Sequence, residues 1–350
     1  MATIYDIANL AGVSSATVSL IMNGRGDDLR IAKKTQENVR AIAKEIGYVP
    51  NVSARKLLSK EKASIPEIGL LWFRSQHPVF LNTLINKLNE MQSSGLINDM
   101  NVIIYPFENK HLSKMKKILS GNNVHGFIIP SGEPETIDFL EKLDIKVPVI
   151  TIYSNSGKYH SVDVNNQRNG QMAGEIFFNK GLKNAAVIKN LHNSYFSDIR
   201  EAAFLKQCEE QNISVTEIYA DLDLGEAVTG SANEYYLYGR AVAKKVVDTW
   251  KQAGSSKMGV FVQNDASARG LIAQLRQNGI KVPEDVMVVS YGYNSEENKE
   301  SNELTMITYP VNELAEKTWL LMKRLIHEDD MGIEQIYCES DIFYGNSCPR

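Results

Sequence analysis

Along the first fifty positions apolar residues return every three to four residues, and from position 68 onward they gather into short runs. The two patterns predict different architectures. Ile4, Ile7, Ala8 and Ala11 fall on one helical face, Gly12 breaks the helix, and Val13 follows as a buried plug. Ser14 is suited to cap a second helix, in which Val18, Ile21 and Met22 turn inward. Two short helices joined through Ala-Gly-Val form the helix-turn-helix arrangement. The second is rich in Ser and Thr, small hydroxyl residues that can approach a phosphate backbone closely. After a polar loop, Thr35 is placed to cap a third helix with Val39, Ile42, Ala43 and Ile46 on its apolar face, ended by Gly47. The segment after Pro50 has helix formers but few apolar residues and reads alone as a linker. Leu57 and Leu58 nevertheless sit there among Arg55, Lys56 and Lys60. Leucines beside cations suit a helix that folds on DNA and wedges into the minor groove.

The rest alternates short apolar runs with amphipathic stretches. Strands are predicted over 68–73, 101–105, 126–130 and 147–153, then over 185–189, 214–219, 258–263 and 286–291. Helical patterns such as Leu81–Gln92 and Gly239–Gln252 separate them. Strand–helix alternation implies right-handed βαβ units and parallel sheets. Two series imply two lobes, and ligands in such sheets bind beyond the carboxyl ends of strands.

Charge sharpens this division. The 350 residues carry a net −4, but residues 1–62 hold ten Lys/Arg against six Asp/Glu, leaving −8 for the remainder. A basic head on an acidic body is the asymmetry expected where one end meets a polyanion. Cys208, Cys338 and Cys348 lack CxxC spacing and indicate neither a disulfide framework nor a zinc site. No stretch reads as a signal peptide or membrane span, so the expected location is the cytoplasm. There is no Walker, GxSxG or HExxH motif, and the six histidines are scattered without ligand spacing. Neither an enzyme nor a cofactor is expected. An enzyme and a transporter's sugar-binding protein stand as rival uses of a two-lobed body; the basic head opposes the second.

Three motifs in order, YDIANLAGVSSATVSLIMNG, TQENVRAIAKEIGYVPN and SARKLL, resemble the lactose-repressor (LacI/GalR) family of bacterial transcription regulators. The resemblance extends more weakly through HPVF (77–80), VDVNNQRNGQMAG (162–174), VFVQNDASARG (260–270) and LTMITYPVNELA (304–315). It implies an α/β chain: an all-α helix-turn-helix head over 1–50, a hinge over 51–65, and a periplasmic-binding-protein-like, two-lobed, doubly wound parallel-sheet body over 66–350. The expected N-lobe is about 66–162 and 293–323; the expected C-lobe is about 163–292 and 324–350. Ser15, Ala16 and Leu20 would look into the major groove. Tyr5, Ser14, Thr17, Ser19 and Asn23 would hold phosphates or anchor the helix. Ala54 and Leu57 would enter the minor groove, Leu57 as the lever. Leu20 departs from the family's usual Arg, which removes a guanine-reading donor.

In the body the resemblance carries effector contacts onto Arg200, Asn165 and Asn264, with Phe73, Phe80 and Tyr293 available to stack on a sugar or to pack the core. Ala203 replaces the Gly of the family's Arg-x-x-Gly-Phe. Asn165 and Gly292 stand where the family often has Asp. Losing two acids while keeping Arg200, with Arg74 as a second candidate cation, makes the cleft less hostile to an anionic sugar. The implied partners are a pseudopalindromic double-stranded DNA operator, a sugar-like effector and a second copy of the chain, with a protein corepressor as a further candidate; no membrane is implied. The implied function is effector-controlled repression of carbohydrate-utilisation genes.

Overall fold

The computed structural model describes residues 3–22, 26–27, 29–46, 48, 65–73, 78–107, 112–120, 123–130, 134–153, 156–192, 194–220, 232–327 and 332–350. In the head, α1 (Ile4–Ala11) opens with a reciprocal cap: Asp6 N–H donates to Thr3 Oγ1 at 3.2 Å, and Thr3 N–H donates to Asp6 Oδ2 at 2.8 Å. Gly12 ends it at φ 65°, a left-handed conformation that costs glycine little. Ser14 Oγ accepts from Thr17 N–H at 3.1 Å and starts α2 (Ser15–Met22), which turns 107° from α1. That angle lies within the range of helix-turn-helix pairs.

The third helix, α3 (Lys33–Glu45), corrects the reading of Thr35 as its cap. Ala32 is the cap residue and offers no side-chain bond. Thr35 N–H already donates to Ala32 O at 2.9 Å, which places Thr35 inside the first turn. Ile7, Ala8, Val18, Ile21, Val39 and Ala43 form the buried core of the head. The buried Gln36 amide donates to Asp27 Oδ1 and Ile31 O and so secures the turn before α3.

The body holds two six-stranded sheets. The first contains β1 (Glu67–Phe73), β2 (Asn101–Phe107), β3 (Gly126–Pro130), β4 (Val149–Ile152), β5 (His160–Val164) and β11 (Gln335–Cys338). Their spatial order is β11-β5-β4-β3-β1-β2, and every pairing is parallel. The second contains β6 (Asn184–Ile188), β7 (Ser214–Ile218), β8 (Met258–Val262), β9 (Val286–Gly292), β10 (Thr305–Thr308) and β12 (Asp341–Phe343), in the order β12-β10-β9-β8-β6-β7. Only β12 runs antiparallel to its neighbour.

Each of the eight expected strands has an observed counterpart. β5, β10, β11 and β12 are additional: three to five residues long, two of them edge strands, and β5 carrying Ser161 and Asp163 among its apolar residues. They move the expected lobe boundaries. Asp163 still belongs to β5, so the first crossing falls at Asn165. β10 lies in the second sheet, so the second falls at Tyr309 rather than 293. β11 pairs with β5 and β12 with β10, so the third falls between Cys338 and Asp341 rather than after 323.

The physical reason is the long amphipathic helix α12 (Val311–His327). Its Leu314, Ala315, Trp319 and Met322 pack into the core of the first lobe and carry the chain back there. Trp319 Nε1 donates to Leu84 O in helix α4 (Pro78–Ser93) at 2.8 Å. The short helices α5 (Lys116–Leu119) and α6 (Pro134–Glu141) complete this lobe.

In the second lobe, α7 (Asn166–Asn179) and α8 (Tyr195–Glu210) share a core with Phe177, Phe204 and Phe261. α9 (Ala232–Gln252) and α10 (Asp265–Gln277) cover the opposite face with Val242, Val246, Leu271 and Leu275. A short α11 (Glu296–Ser301) precedes β10. Residues 344–348 lace the sheet from its far side: Val288 N–H donates to Ser347 O, and Thr305 Oγ1 to Gly345 O and Cys348 O.

Candidate functional site: an exposed helix face and an interlobe arginine

On α2 the inward residues Val18 and Ile21 are buried, while Ser14 and Ala16 are exposed and Ser15, Thr17, Ser19 and Leu20 are half-buried. Val18 is therefore a packing residue, and the polar face remains presented. Ser14 Oγ and Thr17 Oγ1 lie 2.8 Å apart and hold one another at the amino end of the helix. Tyr5 on α1 is 71% exposed, too solvated to serve the small core. Lys33, Lys34 and Arg40 stand exposed on α3. Ser14, Ser15, Ala16, Thr17, Ser19 and Leu20 thus lie together on one short element with Tyr5 on the preceding one, while Asn23, Ala54 and Leu57 lie outside the described residues.

In the body, Arg200 is only 7% exposed. Its Nη1 donates to Asn166 Oδ1 at 2.5 Å, and its guanidinium lies 4.0 Å from the centroid of the Tyr291 ring. Burial pulls its pKa down, opposed by Tyr291 and then by Asp163. Arg200 Nε is enclosed and has no hydrogen-bond partner among the described residues. Asp163, 4% exposed at the end of β5, accepts from Val164 N–H at 2.7 Å. Burial pushes its carboxyl up to about 7; the Val164 N–H and the Arg200 charge pull it back only in part.

From Arg200 a column of rings runs into the first lobe. Tyr291 meets Tyr309 edge-on at 6.4 Å, Tyr309 stacks on Tyr153 at 5.7 Å, Tyr153 tilts on Phe80 at 5.8 Å, and Phe80 stacks on Trp72 at 6.3 Å. All four spacings suit attractive aromatic pairs. Tyr309 lies on the second crossing and packs against the cores of both lobes.

Of the six expected effector contacts, two belong to this assembly: Arg200 at one end and Phe80 next to Trp72 at the other. Tyr293 packs half-buried against the first lobe. Asn165 and Asn264 are helix caps: Asn165 Oδ1 accepts from Arg168 N–H and Asn264 Oδ1 from Ser267 N–H, each at 3.0 Å. Phe73 closes β1, with its side chain outside what is described, as is Arg74.

Asp163, Asn166, Tyr153, Tyr291 and Tyr309 are site residues the sequence reading missed. Asp163 lies in a five-residue strand of mixed polarity, too short to be read from the sequence, so no signal there could have found it. Its presence corrects the argument from lost acids. The acid absent at 165 is supplied two residues upstream, and the space a side chain at Gly292 would enter holds Asp265, whose Oδ1 lies 2.9 Å from an ideal Cβ there.

A cavity of about 250 Å³ adjoins Arg200, lined by Asp163, Asn165, Asn166 and Gln167 on one side and Tyr195, Phe196 and Tyr337 on others. Among the described residues no group of three or more His, Cys, Asp or Glu could hold a metal, and no single helix is long and apolar enough to cross a membrane.

The head and the two-lobed body define an effector-responsive class of DNA-binding regulator. Residues 3–51 match the bacterial regulatory proteins of the lacI family, and residues 175–348 match the periplasmic binding protein-like domain. The chain thus carries a lacI-family DNA-binding head and a periplasmic binding protein-like body, the make-up of the regulators it resembles. It is 24% identical to the HTH-type transcriptional repressor PurR of Haemophilus influenzae, covering 98% of this chain and 96% of that protein. A LacI family transcription regulator from Clostridium acetobutylicum superposes with a TM-score of 0.67 at 25% identity, over 80% of this chain and all of that one. The transcriptional regulator CelR in complex with cellobiose gives a TM-score of 0.63 at 18% identity, over 99% and 100% of the two chains.

Proposed function

We propose that this regulator is a repressor whose grip on a DNA operator is set by a sugar-like molecule held where its two lobes meet. The carrying observation is the column from Arg200 to Trp72 through Tyr309: an interlobe arginine tied by packed rings to the lobe that follows the hinge segment. A molecule that favours one arrangement of the lobes shifts that packing and with it DNA affinity, and by linkage DNA shifts the molecule's own affinity by the same factor. The cellobiose seen in CelR supports a carbohydrate ligand. The repressor name of PurR supports the direction of control.

On DNA, two copies would set two α2 helices about one helical turn apart on a pseudopalindrome. Ser14, Ser15, Ala16, Thr17, Ser19, Leu20 and Asn23 would face the DNA, with Tyr5 on phosphate. Ala54 and Leu57 from each copy would meet in the minor groove. Such a regulator works in the cytoplasm, on the chromosome; a protein corepressor could add a further surface.

The test is a gel-shift selection of sequences from random duplex DNA, repeated with competitor and over a salt series. A selected site that survives competitor and shows a steep salt slope is expected. Uniform affinity for all duplexes would overturn the reading. Leu57→Ala is expected to weaken the selected site far more than random DNA.

A further inference from the structure

The cavity beside Arg200 has an uncommon wall. It is formed where the amino ends of α7 and α8 converge, and Asn166, Gln167, Tyr195 and Phe196, the first two residues of each helix, all line it. The first turns are otherwise satisfied: Asn165 caps Arg168 N–H, Asn169 N–H donates to Asn165 O, Ser194 caps Ser197 N–H, and Asp198 N–H donates to Ser194 O. The N–H groups of Asn166, Gln167, Tyr195 and Phe196 carry no hydrogen bond among the described residues. Four donors therefore point outward from two positive helix ends, as the first N–H groups of any helix do.

A helix end alone is no site. Here a second observation stands beside it. The Asp163 side chain is 96% buried, since only 4% is exposed, and it lines this cavity. One of its oxygens accepts from Val164 N–H, and the other has no hydrogen-bond donor among the described residues. An ionised carboxylate would repel whatever the four donors attract. A protonated one can donate to it.

The charged groups around the cavity decide which form is held. On β5 stand Asp163 and, at its far end, His160, whose Nδ1 accepts from Glu334 N–H. On α7, Arg168 is paired with Glu175. On α8 stand Asp198 and the buried Arg200, and beyond β11 Glu339 accepts from Asn165 Nδ2 at 3.4 Å. Asp163 is the buried carboxyl of this set; burial favours its proton against the opposing pull of Arg200, so it is the one whose proton a bound anion would hold in place.

We propose that this cavity binds an oxyanion, the phosphate or carboxylate of a modified sugar, on the N–H groups of Asn166, Gln167, Tyr195 and Phe196, with the Asp163 carboxyl donating a fifth hydrogen bond. The proposal rests on the reading of the body as a small-molecule sensor, and it names the chemical class sensed. Tyr195 and Tyr337, 44% and 46% exposed, flank the mouth and offer ring faces to the sugar. Binding takes up a proton wherever Asp163 is ionised in the free protein. Affinity is therefore level in acid and falls as pH rises through neutrality.

Calorimetric titration of the full-length protein with sulfate, glucuronate, glucose 6-phosphate and glucose at pH 6 and 8 tests this. Sulfate and glucuronate do not themselves titrate over that range, and the phosphate and glucuronate arms separate the two ligand sources. The oxyanions should bind at least about tenfold more tightly than glucose, and from pH 6 to 8 sulfate and glucuronate should weaken about tenfold. Asp163→Asn, which keeps a donor but cannot ionise, should bind at pH 6 and lose the pH dependence.

Tyr195→Pro isolates a backbone donor. Position 195 is the first helical residue, where proline fits, and Ser194 before it is extended at φ −135° and ψ 143°, as proline requires. Tyr195→Pro should bind more weakly than Tyr195→Ala, since both lose the ring and only one loses the N–H. Glucose binding as tightly as the oxyanions, no oxyanion binding, a flat native pH profile, or an unchanged profile in Asp163→Asn would each overturn the proposal. So would equal affinities in the two Tyr195 variants; the anions would then belong elsewhere, as on the basic head. Selective DNA binding is scored separately: its survival without oxyanion binding sinks only this proposal, and its absence with oxyanion binding sinks only the regulator reading.

Discussion

Single residues here combine structural and sensing roles. Asp163 illustrates the cost. Its carboxyl titrates near 7 in the folded chain against 3.8 ordinarily, so over the interval between these values the native state holds more proton than the unfolded state. The stabilising contribution is complete below the lower value and is lost as pH climbs through the upper one. Urea unfolding of the native protein should lose roughly 2–3 kcal/mol between pH 5 and 8 that Asp163→Asn does not lose. Identical pH profiles for the two would show that the carboxyl is not held as described. Ser14 is a simpler case, because its hydroxyl accepts from Thr17 N–H at the start of α2. Ser14→Ala should lower the stability of the head by about 1 kcal/mol, read from its thermal transition.

At the scale of elements, what was legible in the sequence follows from length and period. The long helices and the buried central strands announced themselves, because their apolar spacing repeats over enough residues to exclude another period. Short edge strands did not: Gln335–Cys338 and Asp341–Phe343 are half-exposed and too brief to show a pattern. Thr35 looked like a cap because hydroxyl residues favour that place, but the chain enters α3 earlier at Ala32, and the helix is held instead by packing of Val39 and Ala43. In the site, Arg200 was legible through its motif, whereas Asp163 and Tyr309 gain their meaning only when separate elements meet.

The crossing of α7 and α8 shows such a meeting. A Cβ built on Gly170 would lie 2.1 Å from Arg200 O and 2.8 Å from Ala203 Cβ, so the helices touch through bare backbone. Ala203, where the motif has glycine, already takes up space on the α8 side. Gly170→Ala should therefore destabilise by about 2–3 kcal/mol and displace Arg200. Unchanged thermal stability would contradict the close approach. Gly95→Ala offers no steric contrast at all, since nothing lies within 4 Å there, and its cost comes only from its φ of 72°.

For the whole molecule, the ring column makes the lobes one mechanical unit at Tyr309. Tyr309→Phe keeps the stacking on Tyr153 and Tyr291 and should leave stability within about 1 kcal/mol. Tyr309→Ala opens a gap against both cores and should cost about 3–5 kcal/mol. If the column transmits the ligand signal, Tyr309→Ala should also shrink the ligand-induced change in DNA affinity in a gel-shift titration, while Tyr309→Phe preserves it. Equal responses in both variants would separate the column from signalling.

The three crossings have a consequence for synthesis. The first lobe lacks α12 and β11 until residue 338 is made, and the second lacks β12 and the lacing residues 344–348 until residue 348 is made. A nascent chain still tethered to the ribosome can therefore complete its small amino-terminal bundle early, yet neither half of the body can close until residues 335–348 have emerged. Ribosome-stalled chains ending near residue 330 should hold a protease-resistant head and a protease-sensitive remainder. Both halves should then become resistant together on release of the full chain.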